Sequence, residues 1–142
     1  MAAAKTSSGS AGVLRLGLCC QFAREPIKFR TTTATAMLRL SKRDRLKRLA
    51  ELCRANAEAL MEALRFCVAH GIGAFRVNSQ ILPVKTHPGA GYAATDLPGA
   101  EEIIALFREC GAFARANNVR LSFHPDQFVV LNSPNPQTLA HS

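Results

Sequence analysis

The sequence predicts an α/β fold, a parallel sheet with helices packed outside it. Three observations carry this expectation. Three short apolar runs, Val13–Cys19, Ala74–Val77 and Val119–Phe123, read as strands. Two stretches between them repeat apolar residues every three or four positions, the period of a helix. The elements therefore alternate strand, helix, strand, helix, strand, an order that feeds a parallel sheet.

Length and composition agree with one domain. The chain has 142 residues, of which 48% are hydrophobic, so a packed core is expected and global disorder is not. Residues 1–12 are small and polar and read as a flexible tail, leaving 13–142 as the folded part. The tail has one lysine and no arginine, which disfavours an organelle transit peptide. No apolar run approaches the roughly 18 residues of a membrane span, and no secretory apolar core follows the N-terminus. A cytoplasmic protein with no membrane partner is expected. Five cysteines, none in a CxxC spacing, read as free thiols in a reducing compartment. The net charge of +8 favours a polyanionic partner, nucleic acid first.

The elements follow in order. After the first strand, residues 20–40 form a long basic connection carrying Arg24, Lys28, Arg30 and Arg39 against Glu25 alone. Ser41 is a good N-cap, with Asp44 three residues on. Leu46, Leu49, Cys53, Ala57, Leu60, Leu64 and Cys67 then form one apolar stripe, stopped by Gly71. Cations crowd the first turns of this helix, from Lys42 to Arg48, where they oppose the helix dipole. They are either a solvated face or a phosphate-facing patch. Residues 83–99 are a Pro/Gly-rich loop. A second helix is expected to begin near Asp96 or Pro98, with Ile103, Phe107, Cys110 and Ala114 buried and Asn117-Asn118 at its end. Another helix is expected to start after Pro136.

Each expected strand exits into polar or reactive residues: Cys19-Cys20-Gln21, Asn78-Ser79-Gln80 and His124-Pro125-Asp126-Gln127. Chemistry at the C-terminal ends of successive strands is the habit of the (β/α)₈, or TIM, barrel. Such a barrel takes about 250 residues, so this chain holds about its first three βα units and reads as an N-terminal part of a longer protein. An open sheet would expose unpaired edges and favour self-association. Neither a GxGxxG nor a GxxxxGK[ST] motif is present.

Imidazole is the commonest side-chain metal ligand. His124 closes the third strand, and the following proline holds it extended. His87 lies in the loop after the second strand. Both are candidate metal ligands, though the only nearby acids are Asp126 and Asp96. His70 ends a helix and has a capping role instead.

Arg15-Leu16-Gly17-Leu18, Phe75-Arg76-Val77-Asn78-Ser79, Ser122-Phe123-His124-Pro125-Asp126-Gln127-Phe128 and Ser133-Pro134-Asn135 together resemble the N-terminal half of the UV damage endonucleases, in the right order from Val13 onward. The resemblance implies a TIM barrel related to the endonuclease IV group. It implies a cluster of divalent metal ions, often Mn2+, that hydrolyses the phosphodiester 5′ of a UV photoproduct in double-stranded DNA. His124 and His87 match metal ligands of the family. Gln127 and Phe128 match an amide–aromatic pair inserted at the lesion, where a ring can stack in the gap left by extruded bases. Asn78, Ser79, Lys28 and Arg30 are then expected to face the DNA. Leu18 stands where many relatives carry tyrosine, so no lesion contact is carried over there. The remaining ligands of the family lie on later strands outside this sequence, and the chain alone is expected to be inactive. A bacterial nucleoid setting follows, with no protein partner inferred. The alternatives are a metal-dependent sugar isomerase or epimerase barrel and a non-catalytic nucleic-acid-binding module.

Overall fold

The computed structural model describes residues 14–124 and 132–140. Three strands, β1 (Gly17–Cys19), β2 (Ala74–Asn78) and β3 (Arg120–His124), form one parallel sheet in that spatial order. Gly17, Ala74 and Arg120 share one register row, and Asn78 lies beside His124 at the other end. Among the described residues, four α-helices accompany the strands: α1 (Ala34–Leu38), α2 (Lys42–Ala69), α3 (Ala100–Ala116) and α4 (Pro136–Ala140). The expected alternation is therefore present.

The core lies on one face of the sheet. Phe75 and Val77 point from β2 into a cluster with Leu60, Leu64 and Cys67 of α2 and Cys110 and Ala114 of α3. Leu18 and Leu121, in register with Phe75, pack against the same cluster. Side chains alternate along a strand, so Cys19, Arg76, Ser122 and His124 fall on the other face. Parallel sheets are ordinarily covered on both faces; here the second face carries polar groups, and these four residues are exposed.

Local chemistry sets most boundaries. Ser41 Oγ accepts the Asp44 N–H at 3.1 Å and donates to the Asp44 carboxylate at 2.6 Å, which starts α2. Gly71 follows the helix with φ +66°, a left-handed position that suits glycine. His70 stacks on Phe66 at 4.0 Å between ring centroids, and its Nδ1 bonds the Phe66 carbonyl, so it closes the helix end.

Three boundaries differ from expectation. Leu14 and Leu16 are exposed, and only Gly17–Cys19 pairs with β2. The basic connection contains α1, capped by Thr33, whose hydroxyl accepts the Ala36 N–H; Met37 buries its side chain beneath it. α3 begins at Ala100, because Gly99 at φ +72° breaks the chain direction and Asp96 belongs to a separate 3₁₀ turn, Ala94–Asp96.

Four of the five cysteines are buried, and all five are free thiols. Cys110 is 1% exposed, and burial, followed by Glu109, pushes its thiol up from 9.0 to about 11. Burial moves Cys53 and Cys67 the same way. An unfolded thiol ionises first, so this contribution is fully present below pH 9.0 and is lost as the pH rises through about 11. Cys110 alone accounts for about 3 kcal/mol of that loss. Urea midpoints followed by circular dichroism are expected to hold steady below pH 9.0 and to fall between there and 11; a flat profile would contradict the buried-thiol core.

Candidate functional site

The C-terminal ends of the three strands meet at His124. Cys20 Sγ lies 3.2 Å from His124 Nδ1, and Cys19 Sγ lies 3.4 Å from Cys20 Sγ. The ligand atoms of these three residues all fall within 4.8 Å of one another. Cys19 and His124 are exposed, while Cys20 is buried. Burial, then the Cys19 thiol, pushes the Cys20 thiol up to about 11, with the Arg76 guanidinium pulling the other way.

A backbone turn makes this meeting possible. Cys20 sits at φ 54°, a left-handed conformation that costs a non-glycine residue about 1–2 kcal/mol. Its N–H donates to the Arg76 carbonyl at 2.9 Å, and the Gln21 N–H donates to the Cys19 carbonyl at 2.6 Å. Successive side chains of a continuing strand would point to opposite faces; the turn at Cys20 lets two consecutive thiols converge instead.

Of the residues expected at the site, Asn78 and His124 are register neighbours. Asn78 Oδ1 accepts the Gln80 N–H at 2.8 Å and so caps the 3₁₀ turn Ser79–Ile81. Ser79 is exposed at the start of that turn. His87 is exposed on a self-bonded loop, where its Nδ1 accepts the Gly89 and Ala90 N–H groups, each at 3.1 Å. The neutral ring then carries its proton on Nε2. His87 is not part of the donor group at His124. Gly91 closes this loop: a Cβ there would sit 2.6 Å from the carbonyl oxygens of Lys85 and His87. Gln127 and Phe128 lie outside the described residues.

Lys28 and Arg30 are held by alternation. Ile27 and Phe29 turn inward onto the core cluster, which leaves Lys28 and Arg30 exposed between and beyond them. Asn56 fixes the end of this segment. It is fully buried in α2, its Oδ1 accepts the Arg30 N–H at 2.7 Å, and its Nδ2 donates to the carbonyls of Arg30 and Ile81, both at 2.9 Å. Sequence reasoning passed over Asn56, although it falls three residues after Cys53 and four before Leu60 on the buried stripe. A polar residue in that place was the available signal.

The family model described as "UV-endonuclease UvdE" matches residues 14–142. The chain belongs to the UvdE family. UvdE relatives include the UV DNA damage endonucleases of Bacillus thuringiensis subsp. konkukian and Bacillus anthracis, each 36% identical over 107 residues. That alignment covers 75% of this chain and 32% of either relative, so the chain spans about a third of their length. The crystal structure of SacUVDE superposes with a TM-score of 0.72 at 24% identity, over 90% of this chain and 40% of that one. The α/β architecture with a parallel sheet is thus shared with the SacUVDE structure. No helix of the described residues is long and apolar enough to cross a membrane.

Manganese is the ion that the family resemblance implies. Mn2+ favours carboxylate, carbonyl and water oxygens. Among the described residues, the donor group at His124 holds one imidazole and two thiols and no carboxylate. This set does not fit a manganese cluster, although His124 itself is an ordinary ligand for a divalent ion.

Proposed function

We propose that this chain is the N-terminal part of a DNA repair endonuclease that cuts the phosphodiester 5′ of UV photoproducts in duplex DNA. The family match over residues 14–142 carries the reading. On this reading β1–β3 are the first three strands of a TIM barrel related to the endonuclease IV group. Its polar sheet face is then the interior, and its strand exits form the mouth. Two observations support the barrel. One sheet face carries exposed polar groups with all the core on the other. An apolar groove of about 530 Å³ also runs beside the outer strand, with Leu121, Phe123, Ile104 and Phe107 among its lining, where a further βα unit would pack.

The residues divide the work. Lys28 and Arg30 meet phosphates, a role that adds affinity without reading sequence. Asn78 and Ser79 line the strand exits beside His124. His124 takes part in holding a divalent ion, and His87 shapes the neighbouring loop and is the second candidate ligand. Gln127 and Phe128 enter the duplex at the lesion, where poorly stacked bases cost less to extrude. Alone the chain binds DNA and does not cut it. The setting is the bacterial cytoplasm, at the nucleoid.

The test is binding to a UV-irradiated duplex as salt is raised. Affinity is expected to fall linearly on a log–log plot, by about 0.9 per phosphate contact. Lys28→Ala and Arg30→Ala should each reduce the slope by about one and weaken irradiated and unirradiated DNA alike. Equal affinity of the unaltered chain for both duplexes, with slopes unmoved by either substitution, would count against the reading.

A further inference from the structure

We propose that Cys19, Cys20 and His124 form a site for a single thiophilic divalent cation of the zinc class, three protein donors with a fourth position open to solvent. This deepens the metal part of the proposed function and rests on it only for the choice of His124. It departs from that reading in the chemistry of the ion.

The donor spacing fits such an ion. With metal–sulfur bonds near 2.3 Å and metal–nitrogen bonds near 2.0 Å, tetrahedral donors stand roughly 3.5–3.8 Å apart. The adjacent pairs here stand 3.4 and 3.2 Å apart, and the third pair lies within 4.8 Å. Closing the remainder falls to the Cys19 side chain, which is exposed. As the ion binds, each thiol releases its proton to solvent and its sulfur takes a coordination position.

The scaffold is built for convergence. The donors come from the end of β1, the turn residue after it and the end of β3, across β2. Cys20 is kept in a left-handed conformation by its hydrogen bond to the Arg76 carbonyl. Strain retained at one residue marks a place where geometry is held for a purpose. Soft thiolate donors select zinc-like ions over manganese. Three protein donors and an open position is also the arrangement that leaves a metal free to bind water or a substrate oxygen.

The experiment uses the full chain, reduced and stripped of metal, titrated with Co2+ as the probe and without DNA. One Co2+ per chain is expected, with sulfur-to-cobalt charge-transfer absorption and tetrahedral visible bands that Zn2+ displaces and Mn2+ does not. Cys19→Ser and Cys20→Ser should each weaken binding at least tenfold. His124→Ala should weaken it while keeping the charge-transfer band, and His70→Ala should change nothing. Circular dichroism checks that each variant is folded; Cys19→Ser alters an exposed side chain and keeps the test decisive if Cys20→Ser unfolds. A folded chain with no charge-transfer band, a band that survives loss of both thiols, or tighter binding of Mn2+ than of Zn2+ would overturn the proposal. Because no DNA is present, failure here leaves the endonuclease reading standing, and failure of DNA binding leaves the metal site standing.

Discussion

Phe75→Ala is expected to cost roughly 3–5 kcal/mol, the range for removing a buried phenylalanine, and to weaken DNA binding at the same time. Phe75 is fully buried at the centre of β2. Its ring stacks with Phe22 at 6.2 Å and 26° and with Phe29 at 6.3 Å and 29°. Phe22 also meets Phe66 of α2 edge-on at 5.2 Å. The basic segment after β1 is therefore seated on one ring of the middle strand. Removing that ring leaves a cavity and frees Phe29, which directs Lys28 and Arg30 outward. Urea denaturation followed by circular dichroism should register the stability loss, and the salt slope for DNA should flatten. A Phe75→Leu chain should keep most of the binding, since it fills most of the space. Full stability for Phe75→Ala would show that the segment is not seated as described.

Asn56→Leu is expected to cost about 3 kcal/mol, though the new side chain is close in size and apolar. Asn56 satisfies three backbone groups: the N–H and C=O of Arg30 and the C=O of Ile81. Each buried polar group left without a partner costs about 1–3 kcal/mol, and partial exposure near Arg30 lets water recover some of it. The same three bonds tie α2 to the basic segment and to the turn after Asn78-Ser79. The Arg30 amide should be protected from hydrogen exchange in the unaltered chain and lose that protection in Asn56→Leu. An Arg30 amide that exchanges equally in both would remove Asn56 from this role.

Much of this fold was legible because the signals were local. Ser41 with Asp44, the stripe from Leu49 to Cys67, and Gly71 each act within one or two helical turns. α1 was not legible: five residues are too few to show a period, and its Thr33 cap is one of three consecutive threonines. Leu14 and Leu16 look like strand residues, and nothing local says that the ladder with β2 starts only at Gly17, with the Leu16 carbonyl accepting the Gly73 and Ala74 N–H groups at its edge. At the candidate site, His124 was singled out from its position after an apolar run and before a proline. Its contact with Cys20 was not, because the two lie 104 residues apart and meet only through the left-handed turn at Cys20. The unabsorbed charge on α2 has a partial explanation: Arg48 pairs with Glu51 at 3.1 Å, an exposed pair worth little to stability.

The central claim is tested most directly by mapping a cut. The chain, joined to the later segments of a Bacillus relative, would be incubated with UV-irradiated duplex and a divalent ion. Unirradiated duplex, the His124→Ala variant and the present chain alone would run beside it. A nick immediately 5′ of the photoproduct, made by the joined protein and absent from all three controls, is the expected result. A folded, metal-loaded protein that leaves irradiated DNA intact, or a nick that persists in His124→Ala, would contradict the claim that these strand exits form a UV-damage endonuclease site.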